Sequence, residues 1–324
     1  MSDLMIEISA LTRRFGPTLA LDGIDLNVRR GEVMGFLGPN GAGKTTTMRI
    51  LAGLLAPTSG TARITGLDIL NNPEKSRARI GYLPETPPIY KEMTVREYLA
   101  FIAALRGVTA KSVKSAVTNV MGRCGLEQVA GRLLGNLSKG YRQRSGIAQA
   151  LVHNPSVVIL DEPTVGLDPI QIREIRTLIR DLGGDHSVLL STHILSEVKM
   201  TCDRVAVINK GRLITEDTLE GLEQRAKQAK EFRIQLNNPP DEATLRALPG
   251  VAHLSAQESG AWLLVPKPEA DPIPTLLEKA VTEGWGLREL SPNSHSLEEI
   301  FVNLTTDDSE TESQERPVDQ EEAA

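Results

Sequence analysis

A run of small residues beside a lysine and a threonine carries the clearest chemical pattern in the chain. Residues 38–45 read Gly-Pro-Asn-Gly-Ala-Gly-Lys-Thr and fit the spacing G-x-x-x-x-G-K-[ST]. Small residues let backbone N–H groups converge on phosphate oxygens, and Lys44 can neutralise those phosphates. The Thr45 hydroxyl suits Mg²⁺, which prefers oxygen ligands. The segment therefore predicts a nucleotide and Mg²⁺ site, with an ordinary glycine-rich turn as the alternative.

Two acids and one histidine follow apolar segments that read as strands. Asp161 and Glu162 come directly after residues 157–160, and His193 follows the run 187–192. Ligands of open α/β sheets bind at the carboxyl ends of the strands. In that place an aspartate can hold Mg²⁺ and a glutamate can polarise an attacking water. An imidazole there can bind a phosphate. Considered one at a time, the two acids could simply end a strand in a solvated turn, and the histidine could be a surface or core residue with no chemical role.

The elements that must hold these residues predict an α/β fold. Three continuous apolar runs read as strands of a sheet interior. They lie at residues 33–37, 157–160 and 187–191. Apolar residues spaced three and four apart between Ile172 and Leu182 predict a helix that joins the last two runs, so these two strands should be parallel neighbours. Alternation at 4–8 and 24–28 predicts half-buried strands.

The middle of the chain lacks strand patterns and predicts a helical subdomain at about 86–150. Thr94 and Glu97 have the spacing of a capping box at the start of an apolar helix. The segment 137–144 has the character of a helix N-terminus, with Ser138 as its cap. We expect the first domain, residues 1–222, to contain this subdomain.

The C-terminal part of the sequence predicts a second domain and a tail. A charged helical stretch at 218–230 leads into alternating strand and helix patterns that begin at Phe232. Residues 223–304 are therefore predicted to form a small α+β domain, for which a ferredoxin-like topology is suggested. Residues 305–324 carry eight acids and one base with few apolar side chains. This acidic tail is predicted to be disordered.

Composition excludes several classes of protein. The 324 residues carry a net charge of −6, and since the acidic tail alone carries −7, the rest of the chain is nearly neutral. Only 3% of the residues are aromatic, so no basic or stacking surface for nucleic acid is indicated. No apolar run approaches the ~18 residues of a membrane span, and no secretory signal is visible. Two distant cysteines predict neither disulfide nor zinc. We expect a cytoplasmic protein that does not bind nucleic acid.

Six segments in a fixed order resemble the motifs of ABC-type ATPases over residues 4–220. In chain order they are 38–46, which resembles Walker A; Glu85, at the Q-loop position; 137–144, similar to the LSGGQ signature; 157–162, similar to Walker B; 166–168, similar to the D-loop; and His193, at the switch position. The resemblance implies a P-loop NTPase fold with a mixed sheet and a helical subdomain, and it implies hydrolysis of ATP with Mg²⁺.

Roles for individual residues follow from the resemblance. Glu162 and His193 are implied to be catalytic, and Thr45, Asp161 and Glu85 to bind the metal. The residues implied to contact ATP are Phe15, which matches an adenine-stacking aromatic, and Gly38, Asn40, Gly41, Gly43, Lys44, Thr45, Thr46, Ser138, Gly140, Tyr141 and Asp168. Members of this family pair head to tail, so that the signature of one copy covers ATP held by the other. A homodimer around two ATP molecules is therefore expected, with Ser138 and Gly140 acting across the interface.

Three residues depart from the family pattern. Glu85 replaces the usual glutamine of the Q-loop, and Lys139 and Tyr141 replace a glycine and a glutamine of the signature. A carboxylate at position 85 can still bind Mg²⁺ or accept a hydrogen bond from water, and a lysine at 139 is expected to point to solvent. We expect activity to be retained with an altered dependence on metal or pH.

The resemblance also suggests what the ATPase drives. The helical insert is where the family docks a membrane-spanning permease, which must be a separate chain, so the protein is expected on the cytoplasmic face of the membrane. Residues 296–305 resemble the C-terminal segment of bacterial two-component exporter ATPases, which favours export. The alternatives are an importer ATPase, a soluble ABC ATPase that acts on ribosomes or nucleic acid, and a module that binds ATP without turnover.

Overall fold

The computed structural model describes residues 3–222, 231–257, 260–267 and 270–293. These residues fall into two compact units, which divide between Leu219 and Glu220. Among the described residues, no helix combines the length and the apolar character that a membrane span requires.

The first unit contains ten strands and seven α-helices in its described residues. The strands are β1 Leu4–Phe15, β2 Thr18–Arg29, β3 Val33–Leu37, β4 Ser59–Ile64, β5 Leu67–Asp68, β6 Ile80–Leu83, β7 Val157–Asp161, β8 Ser187–Thr192, β9 Arg204–Asn209 and β10 Arg212–Thr218. The helices are α1 Lys44–Leu51, α2 Pro73–Arg77, α3 Val95–Leu105, α4 Ala110–Cys124, α5 Lys139–Leu151, α6 Pro169–Leu182 and α7 Leu195–Thr201. Two short 3-10 helices lie at Glu127–Val129 and Leu134–Asn136.

A six-stranded, mostly parallel sheet forms the centre of this unit. Its order is β10-β9-β3-β8-β7-β6, and only β10 is antiparallel to its neighbour. Every residue of β3, β7 and β8 is buried, because helices and a second sheet cover a parallel sheet on both faces. The predicted strands 33–37, 157–160 and 187–191 are confirmed, and β7, α6 and β8 form the predicted parallel unit.

A four-stranded antiparallel sheet packs against the parallel sheet. Its order is β2-β1-β4-β5, and one continuous apolar core joins it to the parallel sheet through α1, which contributes Met48 and Leu51. Strands β1 and β2 run past the predicted 4–8 and 24–28, because polar residues at their ends still pair in the ladder. The strands β4, β5, β6 and β10 were not predicted.

Helices occupy the predicted subdomain. The capping box at α3 is confirmed: the Thr94 N–H donates to Glu97 Oε2 at 2.9 Å and the Glu97 N–H to Thr94 Oγ1 at 3.3 Å. Helix α5 begins after Ser138, whose hydroxyl accepts a hydrogen bond from the Tyr141 N–H at 3.4 Å, as predicted.

The second unit folds around its own four-stranded antiparallel sheet. Its elements are β11 Glu231–Leu236, α8 Glu242–Arg246, β12 Val251–Ala256, β13 Ala261–Pro266, α9 Ile273–Thr282 and β14 Leu287–Asn293. The sheet order is β12-β13-β11-β14. This succession, βαββαβ, is the one that ferredoxin-like folds share. Its core includes Ile234, Leu254, Leu264, Leu276 and Trp285.

One boundary at the junction was predicted wrongly. The helical stretch was expected from residue 218, but β10 extends through Thr218, because residues 212–218 pair with β9 as an antiparallel edge. The stretch 223–230, the segment 296–305 and the acidic tail lie outside the described residues.

Candidate functional site

The loop 38–43 connects β3 to α1 at the carboxyl end of the parallel sheet, and its glycines are required by space and conformation. A Cβ at Gly38 would lie 2.4 Å from the Ile208 carbonyl oxygen. Gly41 and Gly43 have φ of +82° and +110°, which side chains other than glycine rarely allow. The loop therefore delivers α1 with its N-terminus, and the positive end of its dipole, facing the cleft.

Lys44 lies over this loop with its ammonium group turned inward. Its Nζ donates hydrogen bonds to the carbonyl oxygens of Gly38 at 2.8 Å and Pro39 at 3.1 Å. It also lies 3.3 Å from Glu162 Oε1, and both side chains are buried. A buried positive charge at a helix N-terminus is suited to bind phosphate oxygens.

Two hydroxyl groups contact the same carboxylate oxygen of Asp161. The hydroxyls of Thr45 and Ser191 both donate to Asp161 Oδ1, at 3.3 and 2.5 Å. The other carboxylate oxygen, Oδ2, is buried and has no hydrogen-bond partner in the described structure. An unsatisfied buried carboxylate oxygen beside a threonine hydroxyl fits Mg²⁺, which takes one or two protein ligands and completes its shell with phosphates and water. No group of three or more metal-ligating residues was found in the described ranges.

Glu162 and His193 meet at the ends of the neighbouring strands β7 and β8. His193 Nδ1 lies 3.1 and 3.0 Å from the two oxygens of the Glu162 carboxylate. The Glu162 N–H donates to the carbonyl and the hydroxyl oxygens of Ser191, at 3.2 and 3.1 Å. Glu162 holds a left-handed φ of +48°, which directs its side chain into the cleft beside Lys44. This arrangement places a carboxylate and an imidazole where a water could be polarised.

These groups line a cleft of about 280 Å³. Nine of the predicted residues contribute to it: Asn40, Gly41, Gly43, Lys44, Thr45, Thr46, Glu85, Glu162 and His193. Gly38 and Asp161 lie behind the lining and hold Lys44 and Thr45. Ala20 and Val165 also line the cleft, and neither carries a chemical signal that sequence could have revealed.

Besides Gly38 and Asp161, five predicted residues do not line this cleft. Ser138 caps α5, and Asp168 caps α6 by accepting from the N–H groups of Ile170 and Gln171 at 3.0 and 2.9 Å. A Cβ at Gly140 would lie 2.6 Å from the Gln171 side chain. The remaining two are Tyr141, at the start of α5, and Phe15, which is 45% exposed with the Arg13 guanidinium 4.5 Å from its ring centroid.

Sequence reasoning missed Ser191, which binds both Asp161 and the Glu162 backbone. Its signal was a serine directly after the apolar residues 188–190 of β8. It also missed Glu197, a buried acid on α7 that accepts from Thr164 and Thr192; a glutamate in a short helix usually faces solvent, so no pattern separated it from surface acids.

Comparison with known proteins identifies a family with this architecture. Residues 21–165 match the family described as ABC transporter. The bacitracin transport ATP-binding protein BcrA of Bacillus licheniformis is 40% identical over 236 residues, which are 72% of this chain and 76% of the relative. The daunorubicin/doxorubicin resistance ATP-binding protein DrrA of Streptomyces peucetius is 34% identical and covers 98% of both chains.

Solved structures agree with these relatives. The cbiO1 protein from Clostridium perfringens, part of the ABC transporter complex cbiONQ, is 31% identical with a TM-score of 0.63, covering 68% of this chain and 91% of that one. The dimeric ABC transporter cassette MJ0796 is 26% identical with a TM-score of 0.60, covering 66% and 99%. The chain therefore belongs to the ATP-binding proteins of ABC transporters, a family of ATPases.

Proposed function

We propose that this ATPase hydrolyses Mg²⁺-bound ATP at the cleft around Lys44, Glu162 and His193, and that hydrolysis drives a separate membrane permease. The observation that carries the proposal is the convergence of these three side chains beside Asp161 and Thr45. Lys44 reaches Glu162 at 3.3 Å, and His193 reaches the same carboxylate at 3.0 Å. A phosphate-binding cation, a general base and its neighbour therefore share one site.

Each residue has a role that its contacts support. The backbone N–H groups of the loop 38–43 and Lys44 bind the β- and γ-phosphates, and Glu162 accepts a proton from the attacking water. His193 holds the Glu162 carboxylate and binds the γ-phosphate. Thr45 and Asp161 would hold Mg²⁺, with Glu85 at the cleft wall. When bound, Mg²⁺ neutralises charge on the transferring phosphoryl group.

Two copies close around two ATP molecules in this proposal. Ser138 is exposed at the N-terminus of α5, and neither it nor Gly140, Tyr141 or Asp168 lines the cleft of its own chain. A helix N-terminus away from its own nucleotide is available to the γ-phosphate held by a partner. The dimeric cassette among the similar structures supports the same arrangement. Phe15, exposed at the end of β1, supplies a ring for the adenine.

The permease docks beside the helical subdomain. Tyr90 and Phe101 are 52% and 43% exposed, and their rings meet edge to face with centroids 5.7 Å apart. Exposed aromatic pairs are typical anchors of protein interfaces. Tyr90 follows Glu85 by five residues, so a partner bound there adjoins the ATP cleft. The chain would therefore work as a peripheral protein on the cytoplasmic face of the membrane.

Export is the direction favoured by the relatives. BcrA and DrrA are named for bacitracin transport and for daunorubicin and doxorubicin resistance, and DrrA matches this chain over nearly its full length. We propose that the partner permease expels an amphipathic compound.

Glu162→Gln tests the hydrolytic role. The amide keeps the size of the side chain but cannot accept the proton, so turnover should fall about 10²- to 10⁴-fold while ATP binding persists and the ATP-bound dimer accumulates in size-exclusion chromatography. Glu74→Gln, the same change at an exposed position of α2, serves as the control. Normal steady-state turnover of Glu162→Gln would contradict the assignment.

Capture of the partner tests the transport role. Tagged Glu162→Gln protein, incubated with ATP and Mg²⁺, is used to isolate complexes from detergent-solubilised native membranes, and the bound chains are identified by mass spectrometry. A polytopic membrane protein in equal amount is the expected result. Recovery of ribosomal or DNA-bound proteins instead would support the soluble alternatives and contradict the permease.

A further inference from the structure

A buried carboxylate that the proposed hydrolysis does not use lies behind the cleft. Glu197 is in the first turn of α7, four residues after His193, and 1% of its surface is exposed. A carboxylate in such a place is costly unless hydrogen bonds or an opposite charge compensate it. The partners of Glu197 therefore indicate what this side chain holds together.

Glu197 joins the two loops that carry the proposed catalytic side chains. Its Oε1 accepts a hydrogen bond from the Thr164 hydroxyl at 2.5 Å, and its Oε2 accepts one from the Thr192 hydroxyl at 2.7 Å. Thr164 lies two residues after Glu162, and Thr192 comes directly before His193. Both threonines are buried. One carboxylate thus ties the loop after β7 to the last residue of β8, next to His193.

Further contacts fix the orientation of this bridge. The Thr192 hydroxyl accepts from the Ile194 N–H at 3.0 Å while it donates to Glu197, so its hydrogen has one direction. The Thr192 carbonyl oxygen accepts from the Gly38 N–H at 3.2 Å, which links the same loop to the phosphate-binding loop. Arg176, from α6, lies 3.6 Å from Glu197 Oε1 and supplies a positive charge.

We infer that Glu197 is a positioning residue for ATP hydrolysis, which sets the separation between the Glu162 carboxylate and the His193 imidazole. The inference rests on the proposed function, since it assumes that these two side chains act on the attacking water. His193 Nδ1 lies 3.0 and 3.1 Å from the carboxylate oxygens, and both loops that carry the pair end on Glu197. Without that bridge, the two segments keep the hydrogen bonds between the Glu162 N–H and Ser191 but lose the link between Thr164 and Thr192, so the two side chains are held less firmly relative to each other.

The bridge should affect turnover more than ATP binding. Lys44 contacts the phosphates in this proposal. Its ammonium group is held by hydrogen bonds to the carbonyl oxygens of Gly38 and Pro39, and none of these groups contacts Glu197 directly. A shift of about 1 Å at the reacting groups can cost about a hundredfold in rate. A residue that merely stabilised the fold would not separate kcat from KM in this way.

Steady-state kinetics of the full chain test the inference with Glu197→Gln and Thr164→Val. We expect kcat to fall about 10- to 100-fold in each, with KM for ATP changed by less than about threefold. Thr164→Ser restores the hydroxyl and should recover most of the lost turnover. Glu74→Gln provides the same loss of charge as Glu197→Gln at an exposed site. Thermal unfolding of every variant verifies that the comparison is made on folded protein.

Each outcome decides the question. If Glu197→Gln fails to fold, the valine and serine variants of Thr164 still decide, because valine has nearly the shape of threonine and serine keeps the hydroxyl. Wild-type kcat in Glu197→Gln and Thr164→Val, with Glu162→Gln inactive, overturns the inference and leaves the proposed function standing. Equal losses in Thr164→Val and Thr164→Ser also overturn it. Full activity of Glu162→Gln overturns the proposed function itself.

Discussion

Lys44 and Glu162 form a buried ion pair, with Nζ 3.3 Å from Oε1, although 118 positions separate them in sequence. Only 6% of the lysine side chain and 9% of the glutamate side chain are exposed. Removal of one member of a buried pair leaves the other charge uncompensated. The phosphate-binding cation and the proposed general base are therefore electrostatically coupled within one cleft.

Replacement of Lys44 by alanine removes the cation that we propose binds the phosphates. Because a charge-assisted hydrogen bond contributes about 1.5–3 kcal/mol, we expect the Kd for ATP to rise about 10- to 100-fold. A fluorescent ATP analogue titrated against wild type and variant measures the change, and Lys111→Ala, on the exposed start of α4, is the matched control. Unchanged affinity in Lys44→Ala would remove Lys44 from the phosphate site.

Asp161→Asn should raise the demand for Mg²⁺. The substitution keeps the shape of the side chain but removes the negative charge beside the unpartnered Oδ2, so we expect the Mg²⁺ concentration for half-maximal ATPase activity to rise at least about tenfold. Binding of ATP in the presence of a chelator should be unchanged. Asp185→Asn, on the surface, is the control. An identical Mg²⁺ titration for Asp161→Asn and wild type would assign the metal elsewhere.

His153 should make the fold sensitive to acid. Burial, reinforced by the positive charge of Arg106, lowers its pKa from 6.5 to about 4, although its Nε2 contacts the Ile80 carbonyl oxygen at 3.1 Å. Between these two values the unfolded chain binds more protons than the folded one, so the free energy of unfolding falls as pH falls from 6.5 towards 4.

The test of His153 is thermal unfolding between pH 7 and pH 5. His153→Gln keeps a donor for the Ile80 carbonyl but does not titrate, so its midpoint should fall less with acidification than that of wild type. His186, whose pKa burial also lowers, leaves part of the dependence in place. His253→Gln changes an exposed histidine and is the control. Parallel pH profiles of wild type and His153→Gln would be inconsistent with the shift.

Gly81 has no room for a side chain. A Cβ at this position of β6 would lie 2.0 Å from the Ala150 carbonyl oxygen, a backbone atom of α5. We expect Gly81→Ala to destabilise the first unit by about 1–3 kcal/mol, because strand and helix must move apart. Denaturant unfolding measures the loss. Gly131→Ala is the control, since nothing lies within 4 Å of its Cβ; equal stability of the two variants would refute the expected clash.

The central strands of the parallel sheet were predictable because a strand that is buried on both faces consists of a continuous run of apolar residues. That rule located β3, β7 and β8, and it correctly indicated that Asp161 and His193 would emerge at one edge. Strand β10 escaped prediction, because a polar strand at a sheet edge has no distinctive composition. Strand β4 lies inside its sheet, but its mostly polar residues also give no strand pattern.

Contacts made by ordinary polar residues could not be predicted. Ser191 and Glu197 are defined by what lies opposite them on other elements, and a single sequence records no such pairing. The separation of Ser138 from the cleft of its own chain depends on tertiary packing in the same way. What the sequence reveals is therefore the chemistry-bearing motifs and their order, while their supporting contacts emerge only from the fold.

The left-handed backbone conformation at Glu162 lowers the stability of the fold at a position that is proposed to act in turnover. A residue other than glycine costs about 1–2 kcal/mol in that conformation, and glycine adopts it freely. Stability alone therefore favours glycine at 162, and the proposed use of its carboxylate in hydrolysis accounts for a glutamate there. In a related protein that no longer hydrolyses ATP, we expect residue 162 to be replaced early. The residue type at this position is thus expected to distinguish cassettes that hydrolyse ATP from cassettes that do not.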